Sequence, residues 1–359
     1  MDGERYIRQT TLADFGDAAQ EKLRRSKVLV IGAGGLGIPV LTYLNAMGVG
    51  TLGIVDADVV SLSNLHRQVL YSESDIGRPK VDVALEKLQA QNSQTVLKAF
   101  HAFLTRENAL QLLADYDLVV DASDNFPTRY LVNDACVILN KTFIYGALHG
   151  FEGQVSVFNY QNGPTYRCLF PDMPGPDEVP DCNENGVLGI LPGIIGNFQA
   201  LEIIKVITGI GECLSGRLLL YDALTSAVQK IGFKAKSENL RIQALRDTYN
   251  FDCAVPEEAI TIKPEDFFEV LQRQTPQLID VRTPKEFQSH HLPVAKNIPL
   301  SELNDRKGEI DFTQDVFVIC QSGIRSRKAI RSLQKVHNQA RFFNLEGGMN
   351  QIRAYGVAH

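Results

Sequence analysis

A short apolar run near the start of the chain leads directly into a glycine-rich turn. Residues 28–31 read Val-Leu-Val-Ile, and residues 32–37 read Gly-Ala-Gly-Gly-Leu-Gly, which fits the pattern G-x-G-x-x-G. The pattern follows a predicted strand and opens a predicted helix, which is the context it requires. Glycines let a backbone approach a phosphate, and a helix N-terminus offers unpaired N–H groups to an anion. This segment therefore predicts a nucleotide site in an α/β fold.

Apolar runs and stretches with a helical period alternate from this point to about residue 222. The predicted strands are almost continuously apolar, as is typical of strands buried on both faces of a sheet. They cover residues 28–31, 52–55, 118–120 and 143–145, and helical periods between them include 81–91 and 197–208. The alternation predicts a largely parallel sheet with helices on both sides.

A second alternation begins near residue 260, after a more polar stretch that has no clear period. Its strand candidates are residues 278–281, 316–319 and 341–345, and its helix candidate is 326–334. We therefore predict a first domain over residues 1–235, a linker over 236–258, and a smaller α/β domain over 259–359.

Composition and charge narrow the classes of function. The 359 residues are 44% hydrophobic and 22% charged, which is ordinary for a globular protein. The net charge of -6 disfavours a general nucleic-acid binder, because phosphate backbones need a basic surface. No run approaches the roughly 18 apolar residues of a membrane span, and no apolar signal core follows Met1. We expect a cytoplasmic protein that binds neither nucleic acid nor membrane.

Charged residues after the predicted strands indicate which nucleotide is bound. Asp56 ends the second strand, where a carboxylate can accept ribose hydroxyls, and with the glycines alone it would indicate NAD or FAD. Arg67 and Lys80 follow it, and Asp124 comes after the strand at 118–120. Singly, these would be surface cations and a turn residue. As a set, they can hold a triphosphate and Mg²⁺. A reaction in which a nucleophile attacks an α-phosphate needs such a set, whereas hydride transfer does not.

These motifs together resemble the ubiquitin-activating-enzyme superfamily, and within it the bacterial adenylyltransferases of molybdopterin and thiamine synthesis. The resemblance extends from residue 1 to about 230 and implies a Rossmann-like adenylating domain. It also implies a homodimer in which Arg8, within Arg5-Tyr6-Ile7-Arg8-Gln9, reaches the partner's nucleotide. The implied ATP site consists of Gly32, Gly34, Gly35, Gly37, Asp56, Ser63, Asn64, Arg67, Lys80, Asp124 and Asn125, with Mg²⁺ on Asp124.

The cysteine segments depart in part from that family. Residues 165–168, Thr-Tyr-Arg-Cys, resemble its first zinc pair, and residues 253–256, Cys-Ala-Val-Pro, resemble its second. A structural zinc needs four ligands and only Cys168 and Cys253 remain, so we predict no bound zinc. Cys182 matches a cysteine that some relatives link covalently to their carrier. We expect a role for Cys182, and a non-catalytic loop cysteine is the alternative.

The second domain resembles a rhodanese domain from about residue 260 to the end. Its central loop is residues 320–326, Cys-Gln-Ser-Gly-Ile-Arg-Ser, between a strand and a helix. Backbone N–H groups, helix potential and Arg325 are expected to favour a thiolate or persulfide at Cys320. Related phosphatases have five residues between cysteine and arginine, and the four found here suit a single sulfur better than a phosphate. Asp280 and Arg282 are expected to support the loop as a structural ion pair.

The two domains together predict an enzyme that activates a ubiquitin-like sulfur carrier and supplies it with sulfur. The carrier's C-terminal glycine, in a Gly-Gly ending, would be adenylated with ATP and Mg²⁺, with Arg67 and Lys80 stabilising the developing charge. A Cys320 persulfide, loaded by a donor such as a cysteine desulfurase, would then lead to a thiocarboxylate. One alternative is a non-catalytic scaffold that presents the carrier; another is a nicotinamide or flavin oxidoreductase with an accessory sulfurtransferase domain. Molybdopterin, thiamine, cysteine and transfer-RNA thiolation pathways all stay open.

Overall fold

Two sheets organise the computed structural model, which describes residues 2–174, 186–249, 260–337 and 339–352. The chain divides into two units, Met1–Asp252 and Cys253–His359, and each contains one sheet. The first sheet is mostly parallel and the second is parallel throughout its described strands. The predicted α/β fold class is confirmed.

The first unit has an eight-stranded sheet within the described residues. Its strands are β1 Lys27–Ile31, β2 Thr51–Val55, β3 Val96–Phe100, β4 Leu118–Asp121, β5 Thr142–His149, β6 Glu152–Phe158, β7 Arg217–Asp222 and β8 Ala227–Gly232. They lie in the order β3-β2-β1-β4-β5-β6-β7-β8, with β1 to β5 parallel and the last three added antiparallel. Because β1 pairs with both β2 and β4, the strand order reverses there, and open α/β sheets bind ligands at such a switch point.

The helices of the first unit lie between these strands and before β1. They are α1 Asp2–Thr10, α2 Gly16–Arg25, α3 Gly37–Ala46, α4 Lys80–Gln91, α5 Arg106–Ala114, α6 Phe126–Ile138, α7 Tyr166–Leu169 and α8 Leu191–Thr208. α8 begins earlier than the helical period at 197–208 predicts, because Pro192 stands in its first turn, where the fixed φ of proline suits a helix. Among the described residues, no helix is both long enough and apolar enough to cross a bilayer.

Alternate residues of β1 face opposite sides of the first sheet. Val28 and Val30 belong to one apolar cluster, and Leu29 and Ile31 belong to another. All four side chains are buried. The strand is continuously apolar because both faces of the sheet are covered, so that every one of these side chains is buried.

The second unit has a five-stranded parallel sheet within the described residues, in the order β11-β10-β12-β13-β9. Its strands are β9 Ile260–Ile262, β10 Gln277–Asp280, β11 Ala295–Asn297, β12 Val316–Ile319 and β13 Phe342–Leu345. Its helices are α9 Pro264–Arg273, α10 Pro284–Ser289, α11 Leu303–Arg306 and α12 Ile324–Gln334. The strands and the helix predicted for this domain all appear.

The first part of the predicted linker packs on the first unit. The Lys236 N–H donates to the Cys168 sulfur at 3.2 Å, and Asn239 Nδ2 donates to the Arg167 carbonyl at 3.0 Å. Tyr249 is buried, and its hydroxyl donates to Asp134 Oδ2 at 2.8 Å. These anchors are one backbone N–H and two single side chains at irregular spacing, which is why the stretch has no sequence period.

Candidate functional site

The glycine loop after β1 lies against the loop after β4. Gly32 has a φ of +101°, and a Cβ at this position would stand 2.7 Å from the Ala122 carbonyl oxygen. Only glycine tolerates both this conformation and this contact. Gly37 is confined as well, since its Cβ would collide with the Gly32 carbonyl. The loop thus turns tightly at the switch point of the sheet and opens α3.

Arg67 lies beside the glycine loop. A Cβ on Gly35 would be 2.9 Å from Pro192 Cβ and 3.6 Å from Arg67 Cδ, so α8 and Arg67 both approach the loop backbone. Arg67 Nη1 donates to the Ser63 carbonyl at 3.0 Å, and the Arg67 N–H donates to the Asn64 carbonyl at 3.0 Å. The turn at residues 62–64 therefore holds the guanidinium close to the loop. Four predicted residues of the ATP site therefore lie together here, namely Gly35, Ser63, Asn64 and Arg67.

Asp56 ties the glycine loop to the end of β2. Its Oδ2 accepts the Ala33 N–H at 2.8 Å, and its Oδ1 accepts the Asp58 N–H at 2.8 Å. Burial raises the pKa of Asp56, and the nearby Lys80 opposes that rise. A carboxylate oxygen can accept more than one hydrogen bond, so a ribose hydroxyl can still donate to this side chain.

Lys80 is the first residue of α4, and its charge acts on the nearby Asp56. Its side chain is 6% exposed, and Nζ donates at 2.8 Å to Asp58 Oδ2, whose side chain is 60% exposed. The Tyr71 hydroxyl lies 2.9 Å from the Ala33 carbonyl and 3.3 Å from the Lys80 carbonyl, which links α4 to the glycine loop. Because Asp58 is exposed, water solvates it readily, and Lys80 can exchange it for a phosphate oxygen.

Two aspartates at the C-terminal end of β4 and in the loop after it have different surroundings. Asp121 is fully buried and accepts hydrogen bonds from the Ser123 N–H at 3.1 Å and Arg129 Nε at 3.2 Å. Burial raises the pKa of Asp121, and Arg129 opposes this. Asp124 is exposed and has no hydrogen-bond or ion-pair partner among the described residues. Asn125 caps α6 by accepting the Thr128 N–H at 2.9 Å. Asp124 is thus the carboxylate available to a cation.

Gln199 supports the loop after β4, although the sequence did not single it out. Its Nε2 donates to the Asp121 carbonyl at 2.8 Å from within α8. The residue is fully buried, and its Oε1 has no partner in the part of the chain that the structure describes. Asn197, Glu202 and Lys205 in the same helix are polar as well, so the sequence carried no signal that separated Gln199 from them.

Arg8 lies apart from this arrangement. α1 is tied to the C-terminal end of α4, where Arg5 Nη1 donates to the Gln91 carbonyl at 3.2 Å and Asn92 Nδ2 donates to the Tyr6 hydroxyl at 3.1 Å. Lys80 stands at the other end of α4, about 16 Å along the helix axis. Arg8 is exposed. In a single chain it is not brought to the glycine loop.

Cys168 is held by hydrogen bonds at the predicted remnant of the zinc site. Its sulfur accepts the Lys236 N–H at 3.2 Å and the Thr165 N–H at 3.4 Å. Thr165 Oγ1 lies 3.4 Å from the same sulfur. No group of three or more potential metal-binding side chains occurs among the described residues. Cys182 and Cys253 lie outside those residues.

The Cys320 sulfur lies in a loop that connects β12 to α12. The Gly323 N–H donates to Cys320 Sγ at 3.1 Å, and Gly323 has a φ of +85° that glycine adopts without strain. The loop is closed from the other side because the Met349 N–H donates to the Cys320 carbonyl at 2.8 Å. The residue is fully buried in this conformation. A backbone N–H that donates to the sulfur from this tight loop suits an anionic sulfur.

The cations around this loop are paired with carboxylates. The buried Arg282 bonds Asp280 at 2.7 Å, and its Nη1 donates to Gln321 Oε1 at 3.2 Å, so this ion pair supports the loop. Arg325 donates to both carboxylate oxygens of Glu286 at 2.9 and 2.7 Å. Glu286 therefore offsets the positive charge of Arg325, which we had expected from the sequence to stabilise the Cys320 sulfur. Glu286 also belongs to the capping box at the start of α10, and nothing in the sequence indicated that it pairs with Arg325.

The two sites define a class of protein, in which a nucleotide-binding α/β unit precedes a unit with a cradled cysteine. The model of the ThiF family matches residues 6–242, and that of the rhodanese-like domain matches residues 263–355. The chain therefore belongs to the ThiF family and carries a rhodanese-like domain.

Two relatives match the chain over both domains, and a third matches about two thirds of it. The adenylyltransferase and sulfurtransferase MOCS3 of Culex quinquefasciatus is 43% identical over 357 residues, covering 92% of this chain and 81% of the relative. The probable adenylyltransferase/sulfurtransferase MoeZ of Mycobacterium tuberculosis is 41% identical over 345 residues, covering 92% and 88%. The sulfur carrier protein adenylyltransferase of Thermus thermophilus is 54% identical over 233 residues, covering 64% and 86%. This chain is accordingly an adenylyltransferase and sulfurtransferase.

A solved structure shares the fold of part of the chain. Escherichia coli MccB with MccA-N7isoASN has a TM-score of 0.59 at 21% identity, and the match covers 66% of this chain and 73% of MccB. At this identity the likeness concerns the fold alone. It agrees with the Rossmann-like character predicted for the first domain.

Glu286→Gln is expected to lower the stability of the second unit in a pH-dependent way. The hydrogen bond from Arg325 is the main cause that holds the pKa of Glu286 at about 2, below its ordinary 4.5. The contribution of the ionised pair is therefore full above about pH 4.5 and is lost as the pH falls towards about 2. Since both side chains are partly exposed, solvent screening limits the effect to about 1 kcal/mol.

Calorimetry of the wild type and the variant over a pH series measures this difference. The exposed Glu346→Gln serves as the matched control and should change the unfolding temperature little at any pH. A difference for Glu286→Gln that persists undiminished at the acidic end of the series would contradict the pairing.

Proposed function

We propose that the chain adenylates the C-terminal glycine of a ubiquitin-like sulfur carrier with ATP and then transfers sulfur to it from Cys320. The observation that carries this proposal is the meeting of the glycine loop, Arg67 and Lys80 at the switch point of a sheet, in one chain with a cradled cysteine. Adenylyl transfer needs the first arrangement, and sulfur transfer needs the second. The names of the relatives favour the same two reactions over an oxidoreductase or a non-catalytic scaffold.

ATP is the proposed substrate of the first site. The backbone of residues 32–37 would face its phosphates, and Arg67 and Lys80 would pair with them. Asp56 would accept a ribose hydroxyl, and Ser63, Asn64 and Asn125 would line the remainder. MccB, which shares this fold, has been crystallised with ATP.

Asp124 is proposed to hold Mg²⁺. Its carboxylate is exposed and has no partner among the described residues, so it fits a cation without loss of another bond. Mg²⁺ usually takes one or two carboxylates together with substrate phosphates, so the lack of a larger ligand cluster in the described chain agrees with this role. When bound, the ion neutralises charge on the phosphates.

Adenylation makes the carrier's carboxylate a good electrophile. A carboxylate oxygen attacks the α-phosphorus, the bond to the β-phosphate breaks, and pyrophosphate leaves. Arg67 and Lys80 stabilise the negative charge that builds on the phosphoryl oxygens. The terminal sulfur of a Cys320 persulfide then attacks the acyl carbon and expels AMP, which gives an acyl-disulfide. A second thiol, which we propose to be Cys182, attacks Cys320 Sγ, releases the thiocarboxylate and forms a disulfide that an external thiol reduces.

Partners follow from this chemistry. The carrier would end in Gly-Gly, because a narrow glycine tail can bring its terminal carboxylate to the α-phosphate beside the glycine loop. A cysteine desulfurase or a similar persulfide enzyme would load Cys320. A homodimer is proposed because Arg8 is exposed and lies at the far end of α4 from Lys80, so that it could act only on the nucleotide of a partner.

Cys320→Ala is expected to abolish thiocarboxylate formation and to leave carrier-dependent ATP–pyrophosphate exchange at the wild-type rate. The reason is that the first reaction uses only residues of the first unit. Mass spectrometry of the carrier's C-terminus and the exchange rate measure the two steps separately. Cys213→Ala is the matched control and should retain both. Normal thiocarboxylate formation by Cys320→Ala would rule out the proposed role of Cys320.

Metal analysis of the purified chain is expected to find far less than one zinc per chain. Threonine and proline stand where the family has two of its four cysteines, and a neutral hydroxyl is a poor substitute for a thiolate ligand. The combined Thr165→Cys and Pro256→Cys variant restores four thiols and should bind about one zinc. One tightly held zinc in the wild-type chain would contradict the prediction.

A further inference from the structure

A hydroxyl and an amide connect the Cys320 sulfur to the core of the second unit. Ser326 Oγ lies 3.4 Å from Cys320 Sγ and 2.6 Å from Asn344 Oδ1. All three residues are fully buried. A serine hydroxyl has one proton, so Ser326 can donate to only one of these two acceptors at a time.

The Asn344 amide is incompletely bonded in this arrangement. Its Nδ2 is buried and has no partner among the described residues, which is costly for an N–H donor. Rotation of the amide by about half a turn exchanges the positions of its oxygen and nitrogen. Nδ2 would then donate to Ser326 Oγ, and the Ser326 proton would be directed at the Cys320 sulfur.

We propose that Asn344 is a positioning residue that directs the Ser326 hydroxyl according to the charge on Cys320. With a neutral thiol, S–H donates to Ser326 Oγ, and the hydroxyl donates to Asn344 Oδ1. With the thiolate that must attack a persulfide donor, Nδ2 donates to Oγ and the hydroxyl donates to the sulfur. The thiol proton leaves to solvent, and the hydroxyl and amide protons change only direction. This inference rests on the proposed role of Cys320.

The surroundings of the loop explain why neutral donors matter here. Asp280 and Arg282, at the end of β10, bond each other, and Glu286 on α10 bonds Arg325 on α12. These charged groups of the neighbouring elements are therefore largely compensated. Among the described residues, the N–H of Gly323, at 3.1 Å, and the hydroxyl of Ser326 are the donors in reach of the sulfur. Asn344 determines whether the second of them is available.

The test measures thiolate formation at Cys320 in the full chain. The ultraviolet absorbance of the thiolate is followed against pH, and the same variant carrying Cys320→Ser is subtracted. Ser326→Ala should raise the pH of half-maximal ionisation by about one unit, because one hydrogen bond to the anion is lost. Asn344→Leu should raise it by a smaller amount. In the Ser326→Ala background, Asn344→Leu should cause no further change, because its effect passes through the hydroxyl.

Two controls separate positioning from packing. Ser326→Thr keeps the hydroxyl and should keep the wild-type midpoint. Ser332→Ala makes the same substitution on the same helix, where the hydroxyl bonds Asn304 at 3.2 Å, and it should leave the midpoint unchanged. The proposal is overturned if folded Ser326→Ala titrates like the wild type, or if Asn344→Leu shifts the midpoint equally in both backgrounds.

Loading of Cys320 with glutathione persulfide, read by mass spectrometry of the same samples, tests the proposed function independently. A wild-type chain that is never loaded, yet shows the expected titration differences, would refute sulfur transfer and leave the positioning role intact. A chain that is loaded normally while the Ser326→Ala midpoint stays unchanged would refute the positioning role alone.

Discussion

The contact between Gly32 and the Ala122 carbonyl is the constraint on which the nucleotide site depends. It brings the loop after β1 against the loop after β4, and no side chain fits between them. Asp56 holds the same loop from the β2 side, and Gln199 holds the backbone at the end of β4. The site is therefore shaped by the close approach of backbones at the switch point. Arg67 and Lys80 then add positive charge at its edge.

The second unit uses the same construction for a smaller anion. A parallel strand ends, a short loop turns through a glycine with positive φ, and a helix begins. In the first unit we propose that this arrangement presents N–H groups to phosphates, and in the second the Gly323 N–H donates to a sulfur. In the proposed function, adenylation and sulfur transfer both act on a carrier's C-terminal carboxyl group, and the two loops would serve successive steps on one acyl carbon.

Much of the fold was predictable because parallel strands buried on both faces are continuously apolar. Residues 28–31 and 316–319 are examples, and both form the predicted strands. The glycine loop was predictable because positions that have no room for a side chain, such as Gly32 and Gly37, must be glycine in the sequence. The Arg325–Glu286 pair and the Gln199 contact were not, because each depends on tertiary contact between residues with no spacing rule. The packing of Tyr249 on Asp134 was missed for the same reason.

Carrier-dependent exchange of labelled pyrophosphate into ATP measures adenylation of the carrier separately from sulfur transfer. The full chain is assayed with a panel of ubiquitin-like proteins that end in Gly-Gly, each beside a version that lacks the last glycine. We expect exchange with at least one intact carrier and none with its shortened version, because a tail that is one residue shorter holds its carboxylate about 3.5 Å farther from the α-phosphorus. Folded, ATP-binding protein that supports no exchange with any carrier would contradict adenylation and leave sulfur transfer as the only activity that the site supports.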